Sequence, residues 1–80
     1  MDKSVARHIV MESFTARRHL ENLLHFMKLH CSDEEYQTYL KACAHSIATI
    51  GHEIDNRVFA LFPEMEKEVE ESVKRYGRYI

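Results

Sequence analysis

At 80 residues the chain makes one domain at most, and a domain this small buries only about 60–65% of its unfolded surface, so self-association is expected to supplement its core. Charged residues are 30% and hydrophobic residues 45%, too apolar for a disordered chain; two glycines and one proline leave almost no turns for a sheet. Net charge is −2, with a small basic excess over residues 1–30 and an acidic one over 31–80, which suits contacts within a bundle and excludes a dominant phosphate-binding face.

The opening MDKSVARH has no apolar h-region, and no apolar run reaches transmembrane length. The expected location is cytoplasmic, with no membrane partner. Ser4 is the expected cap of a first helix over about 4–30. Its apolar row is Val5, Ile9, Ala16, Leu20, Leu23, Leu24 and Met27, reaching Cys31 at the turn. Ser13 lies in that row and can back-bond to a carbonyl one turn earlier. Met11, Phe14, Phe26 and Leu29 fall outside it, so the apolar girth is wider than one neighbouring helix can cover.

Ser32 opens a second helix with S-x-x-E, a capping box with Glu35, and Asp33, Glu34 and Glu35 favour its positive end. Its row runs Tyr36, Leu40, Cys43, Ile47, Ile50, Ile54, Val58 and Leu61, so one helix is predicted over 33–62, a rod of roughly 45 Å. Ala44, Ala48 and Gly51 lie beside the row, and Gly51 reads as a packing glycine inside the helix. The join at His30–Ser32 is so short that the two helices must be antiparallel neighbours. Their register would put Leu20 level with Cys43 and Ile9 level with Ile54. Cys31 and Cys43 are then roughly 17 Å apart along a helix, which excludes an intrachain disulfide.

Phe62-Pro63 breaks the pattern, and a third helix is predicted over 63–76; one kinked continuous helix is the alternative. Its apolar face is Met65, Val69, Val73 and Tyr76. Glu70–Lys74 and Glu71–Arg75 are spaced as ion pairs, and Gly77 is the expected stop. Tyr76, Tyr79 and Ile80 leave an apolar tail.

Six histidines are the compositional oddity. No two share the i,i+3 or i,i+4 spacing of a helical metal site, and H-E-x-x-H is absent. Glu12 with His52, and His19 with His45, are the metal-ligand candidates, each pair drawn from facing levels of the hairpin. His8–Glu12 and Glu21–His25 are i,i+4 neighbours but have no expected cleft for acid–base work. With no nucleophile elbow and no glycine-rich phosphate loop, no enzyme and no cofactor are expected. Arg17, Arg18 and His19, with Arg7 and Lys28, make a basic spot diluted by Glu12 and Glu21, which argues against nucleic-acid binding.

The motifs Ser32–Tyr36, mid-helix Gly51 and the turn Phe62–Met65 resemble a pattern found in small uncharacterised bacterial helical-hairpin proteins. The resemblance covers about half the chain; it implies a bacterial helical hairpin and transfers no catalytic residue.

Together these readings give a single all-α domain over 1–80, a long antiparallel hairpin with a short C-terminal helix. Two hairpins are expected to pair into a dimeric four-helix bundle. The expected function is a non-enzymatic protein–protein interaction or regulatory module, binding itself and an unidentified protein, with Phe14, Phe26, Tyr76, Tyr79 and Ile80 as its contact residues. A metal- or small-ligand-binding bundle is the alternative, and a nucleic-acid binder the third.

Overall fold

The computed structural model describes residues 1–80 and is helical almost throughout, with no strand. α1 spans Lys3–His30. Asp2, not Ser4, caps it: its backbone is extended and its carboxylate accepts from the Val5 N–H at 2.9 Å. Asp2 thus satisfies an orphan donor and adds a negative charge at the positive end of the helix.

α2 spans Asp33–Ile50 and opens on the expected capping box. The Glu35 N–H donates to Ser32 Oγ at 3.2 Å, and the Ser32 N–H donates to the Glu35 carboxylate at 2.9 Å. That backbone bond, with the Ser32 hydroxyl second, holds the Glu35 carboxyl below its ordinary pKa.

The predicted continuous helix over 33–62 is interrupted. Gly51–Asp55 forms one wide π turn, in which the Asn56 N–H reaches back to the Gly51 carbonyl, and α3 follows over Asn56–Leu61. A π turn closes i→i+5 bonds, so it holds more residues than an α turn. Everything after it is rotated, and advances less per residue, than a 3.6-residue period predicts. Ile54 and Leu61, both expected inside, are therefore exposed, while Asp55 is buried and Val58 stays in the core. The register shifts too: Asp55 meets Ser13, and Gly51 lies beside Arg17, so the expected pairing of Ile9 with Ile54 is replaced.

Phe62 (φ −133°, ψ 76°) leaves the helix, Pro63 follows at φ −57°, and the chain reverses into α4, Glu64–Tyr76. The kinked continuous helix is thereby excluded. The turn closes through the Met65 N–H, which donates to the Phe62 carbonyl at 3.0 Å. Gly77 stops α4 at φ 75°, a left-handed conformation that strains any residue with a side chain, and its N–H donates to the Val73 carbonyl at 2.8 Å.

α4 folds back along the open end of the hairpin. Lys3 Nζ reaches Glu64 at 3.3 Å and Glu68 at 3.7 Å, and Arg7 Nε donates to Glu68 Oε1 at 2.9 Å. Glu64 and Glu68 of α4 thus pair with α1; Glu70–Lys74 and Glu71–Arg75 do not form ion pairs. The core lies between these elements: Ala6 and Val10 from α1, Val58 from α3, Met65 and Val69 from α4, and Tyr79 from the tail. Cover on that flank turns the buried row of α1 by one residue, so Ala6 and Val10 are inside while Val5 is exposed and Ile9 half-buried. On α4, Met65 and Val69 are buried as predicted, Ser72 joins them, and Val73 and Tyr76 stay exposed.

The molecule is thin, 45 × 24 × 16 Å, with a radius of gyration of 14.7 Å against about 12 Å for a compact domain of this length. Only 11 of 80 residues are buried, because α4 reaches just the open end and the hairpin tip is two helices alone.

Gly51 has ordinary right-handed backbone angles, φ −62° and ψ −48°, and a Cβ there would rest 3.6 Å from Arg17 Nη1, a normal contact. Gly51→Ala should therefore raise stability by up to about 1 kcal/mol through helix propensity alone, read as a higher midpoint in urea or heat.

Candidate interaction surface

α4 covers one side of the hairpin and leaves the other bare. Lys3, Arg7 and Phe14 of α1 meet α4 or the tail behind it. Val5, Ile9 and Ala16 each lie two positions further on, about 200° around the helix. Continued along α1 at steps of three and four, this opposite row is Val5, Ile9, Glu12, Ala16, His19, Leu23 and Phe26. Ile9 is half-buried and the other six are exposed. On the second arm, Ala48, Gly51 and Phe59 line the crevice beside Val69 of α4. Across the helix from them are Tyr39, Ala42, Ser46 and Ile50, and, past the wide turn, Ile54 and Leu61. The two rows form one face running the length of the hairpin, apolar at both ends and narrow at its waist, where Ala16, Ala42 and Ser46 are small.

The accessible surface is 5986 Å², whereas a compact 9.5 kDa protein exposes about 5,000 Å². The excess, roughly 1,000 Å², is close to the 800 Å² or so that each partner contributes to a standard protein–protein interface.

The expected contact residues divide. Phe26 is on the bare face, 59% exposed, with its ring 4.6 Å from that of His30. Phe14 is not: it packs against the core, meets Tyr79 edge to face at 6.3 Å, and carries the Arg17 guanidinium 4.2 Å over its ring. Tyr79 is only 6% exposed, so the expected sticky tail is in fact docked on its own chain. Gly77 turns it back, the Ile80 N–H donates to Ser72 Oγ at 3.0 Å, and Ser72 Oγ donates to the Arg78 carbonyl at 2.9 Å. Tyr76 and Ile80 remain exposed beside it.

Glu12 and His52, two of the metal-ligand candidates, have separate neighbours. Glu12 lies 3.8 Å from His8 on its own helix, and His52 Nδ1 is 3.4 Å from Asn56 Nδ2. His19 and His45 are exposed; His45 sits two positions from both Cys43 and Ile47, which places it on the outer side of α2. The chain forms no group of three or more His, Cys, Asp or Glu side chains that could hold a metal ion. Both cysteines are free. The basic spot also disperses, because Arg17 turns inward to Asp55 and Arg7 to Glu68.

One cluster escaped the periodicity. Asp55 is 3% exposed and accepts from Ser13 Oγ, and its other oxygen is 3.1 Å from Arg17 Nη2. The one Ser13 hydroxyl proton is shared with the Val10 carbonyl, 2.9 Å away, the back-bond expected of it. Arg17 Nε is buried without a partner. A carboxylate this buried is tolerated because it has both a charge and a hydroxyl for company. Its sequence signal was hidden: Asp55 enters the core only because the wide turn advances the phase.

A second polar hub ties the tail to α1. Glu68 accepts from Arg7 and, at 3.0 Å, from Tyr79 Oη. The hydrogen bond from Arg7, seconded by Tyr79, holds the Glu68 carboxyl below its ordinary range against a smaller effect of burial. Burial, then the bond to Glu68, pushes the Tyr79 phenol up.

The chain matches no protein-family model, and no curated protein and no solved structure is significantly similar to it. No helix is long and apolar enough to cross a membrane.

Two outcomes follow from these hubs. Asp55→Ala leaves the Arg17 guanidinium without its carboxylate, while Ser13 keeps the Val10 carbonyl, and should cost about 2–3 kcal/mol, read by urea unfolding, with Asp55→Asn costing less. The Glu68 contribution, from a lowered pKa, is complete above the ordinary carboxylate range and is lost as pH falls through its folded value. The Tyr79 contribution, from a raised pKa, is complete below the ordinary phenol range and is lost as pH rises through its folded value. Alkaline absorbance titration should show one late tyrosine that Tyr79→Phe removes.

Proposed function

We propose that this chain is a non-enzymatic interaction module whose working part is the bare face of the hairpin, and that it pairs with a second copy into a four-helix bundle. The observation that carries this reading is the uncovered face opposite α4, apolar at both ends, on a molecule that exposes roughly 1,000 Å² more than a compact protein of its mass. Soluble monomers seldom leave such a patch open, and a hairpin meeting its own copy completes two layers around one core. A two-fold dimer is the simplest closed assembly that hides the face.

The chemistry agrees. The exposed neighbours His8 and Glu12 lie in no enclosed site, and the buried Asp55 is spent on Ser13 and Arg17. In the expected cytoplasmic setting Cys31 and Cys43 stay reduced. Binding of another protein falls to the side left free by the dimer, where Tyr76 and Ile80 are exposed.

Native mass spectrometry at micromolar concentration should give twice the 9.5 kDa chain mass. Phe26→Glu should shift the species to monomer with helix content retained, since Phe26 contributes little to the fold of a single chain. A wild-type protein that stays monomeric as its concentration rises would sink this reading.

A further inference from the structure

The bare face also determines how two copies fit, an inference that rests on the self-association proposed above. Along α1 the exposed row is nearly symmetric about Ala16. Glu12 and His19 lie about one turn to either side, Ile9 and Leu23 two turns, Val5 and Phe26 three. A helix with this pattern is complementary to itself when reversed.

The second arm is symmetric about Ile50, with Ser46 and Ile54 one turn out and Tyr39 and Leu61 three. These two centres are at nearly one height. Asp55 meets Ser13, and Ile50 lies one wide turn nearer the hairpin tip, which brings it to within about one residue of the level of Ala16. The wide turn at Gly51–Asp55 creates this coincidence, since without its extra residue Ile54 would point inward.

The geometry points to an antiparallel dimer whose two-fold axis crosses the hairpins at the level of Ala16 and Ile50, α1 on the partner's α1 and the second arm on the partner's second arm. Ala16 meets the partner's Ala16, where small side chains permit close approach. Ile9 comes level with the partner's Leu23, and Val5 with the partner's Phe26. Glu12, the one carboxylate in the row, comes level with the partner's His19, which can donate a ring N–H to it. The symmetry repeats this pair on the other side of the axis. The rival two-fold, parallel to the helices, would bring the two tips together and lay α1 on the partner's second arm. It would set Glu12 near the partner's Ile54 and the partner's Arg57, and that arginine is already held by Glu53 of its own chain at 2.8 Å, whereas the antiparallel arrangement sets His19 opposite Glu12, so charge complementarity favours the antiparallel arrangement.

Disulfide trapping tests it on the full chain. In a Cys31→Ser background, Ala16→Cys should be captured as a covalent dimer under mild oxidation by glutathione. Wild-type Cys31, at the hairpin tip and so some 40 Å from its copy along antiparallel helices, should not couple. Coupling through Cys31 with Ala16→Cys inert would overturn the arrangement while leaving self-association intact; a monomeric mass would remove both. A charge exchange gives a second readout by sedimentation: Glu12→Lys should weaken the dimer about tenfold, and Glu12→Lys with His19→Glu should recover most of that loss. A double variant as weak as the single one would overturn the Glu12–His19 pairing.

Discussion

A single buried carboxylate governs the geometry of this molecule. Asp55 has left water for a site where only Ser13 and Arg17 can compensate it. Both partners are on α1, so the pair locks the register of the hairpin at the level of the wide turn. Hydrophobic contacts alone specify such a register weakly, because Leu, Ile and Cys side chains slide past one another at little cost. A buried ion that must meet its donors has one solution. The same constraint selects the π turn, which is the backbone change that carries Asp55 inside and Ile54 out.

The second organising feature is one-sided cover. α4 is short and starts at the open end of the hairpin, so it packs there and nowhere else. Its acidic side chains are drawn to Lys3 and Arg7, and the tail is drawn under by Tyr79, whose hydroxyl reaches the same Glu68 that holds Arg7. One carboxylate thus joins helix, tail and hairpin. The consequence lies on the opposite side, where both arms keep apolar rows with nothing against them. An elongated shape, a small core and a long bare face are one fact seen three ways.

The wide apolar girth of α1 is legible in the sequence, and Phe26 lies uncovered. Phe14 and Tyr79 were expected to serve a partner, yet they satisfy each other, because Gly77 reverses the chain and brings the tail over α1. The histidine pairs were drawn from a register set by the short turn. That register shifts across the wide turn, so Glu12 and His52 end with separate neighbours.

Local chemistry in the sequence determined the helical class, the capping box at Ser32, the antiparallel hairpin, the break at Pro63 and the stop at Gly77. Each depends on residues within one turn of each other, and such signals do not need a fold around them. Tertiary structure alone decided the π turn, the burial of Asp55, the docking of Tyr79 and which face stays bare. These turn on contacts between residues far apart in the chain. The phase of a helical row is informative only while the period holds, and one extra residue at Gly51–Asp55 was enough to turn the second half of the rod to a different face.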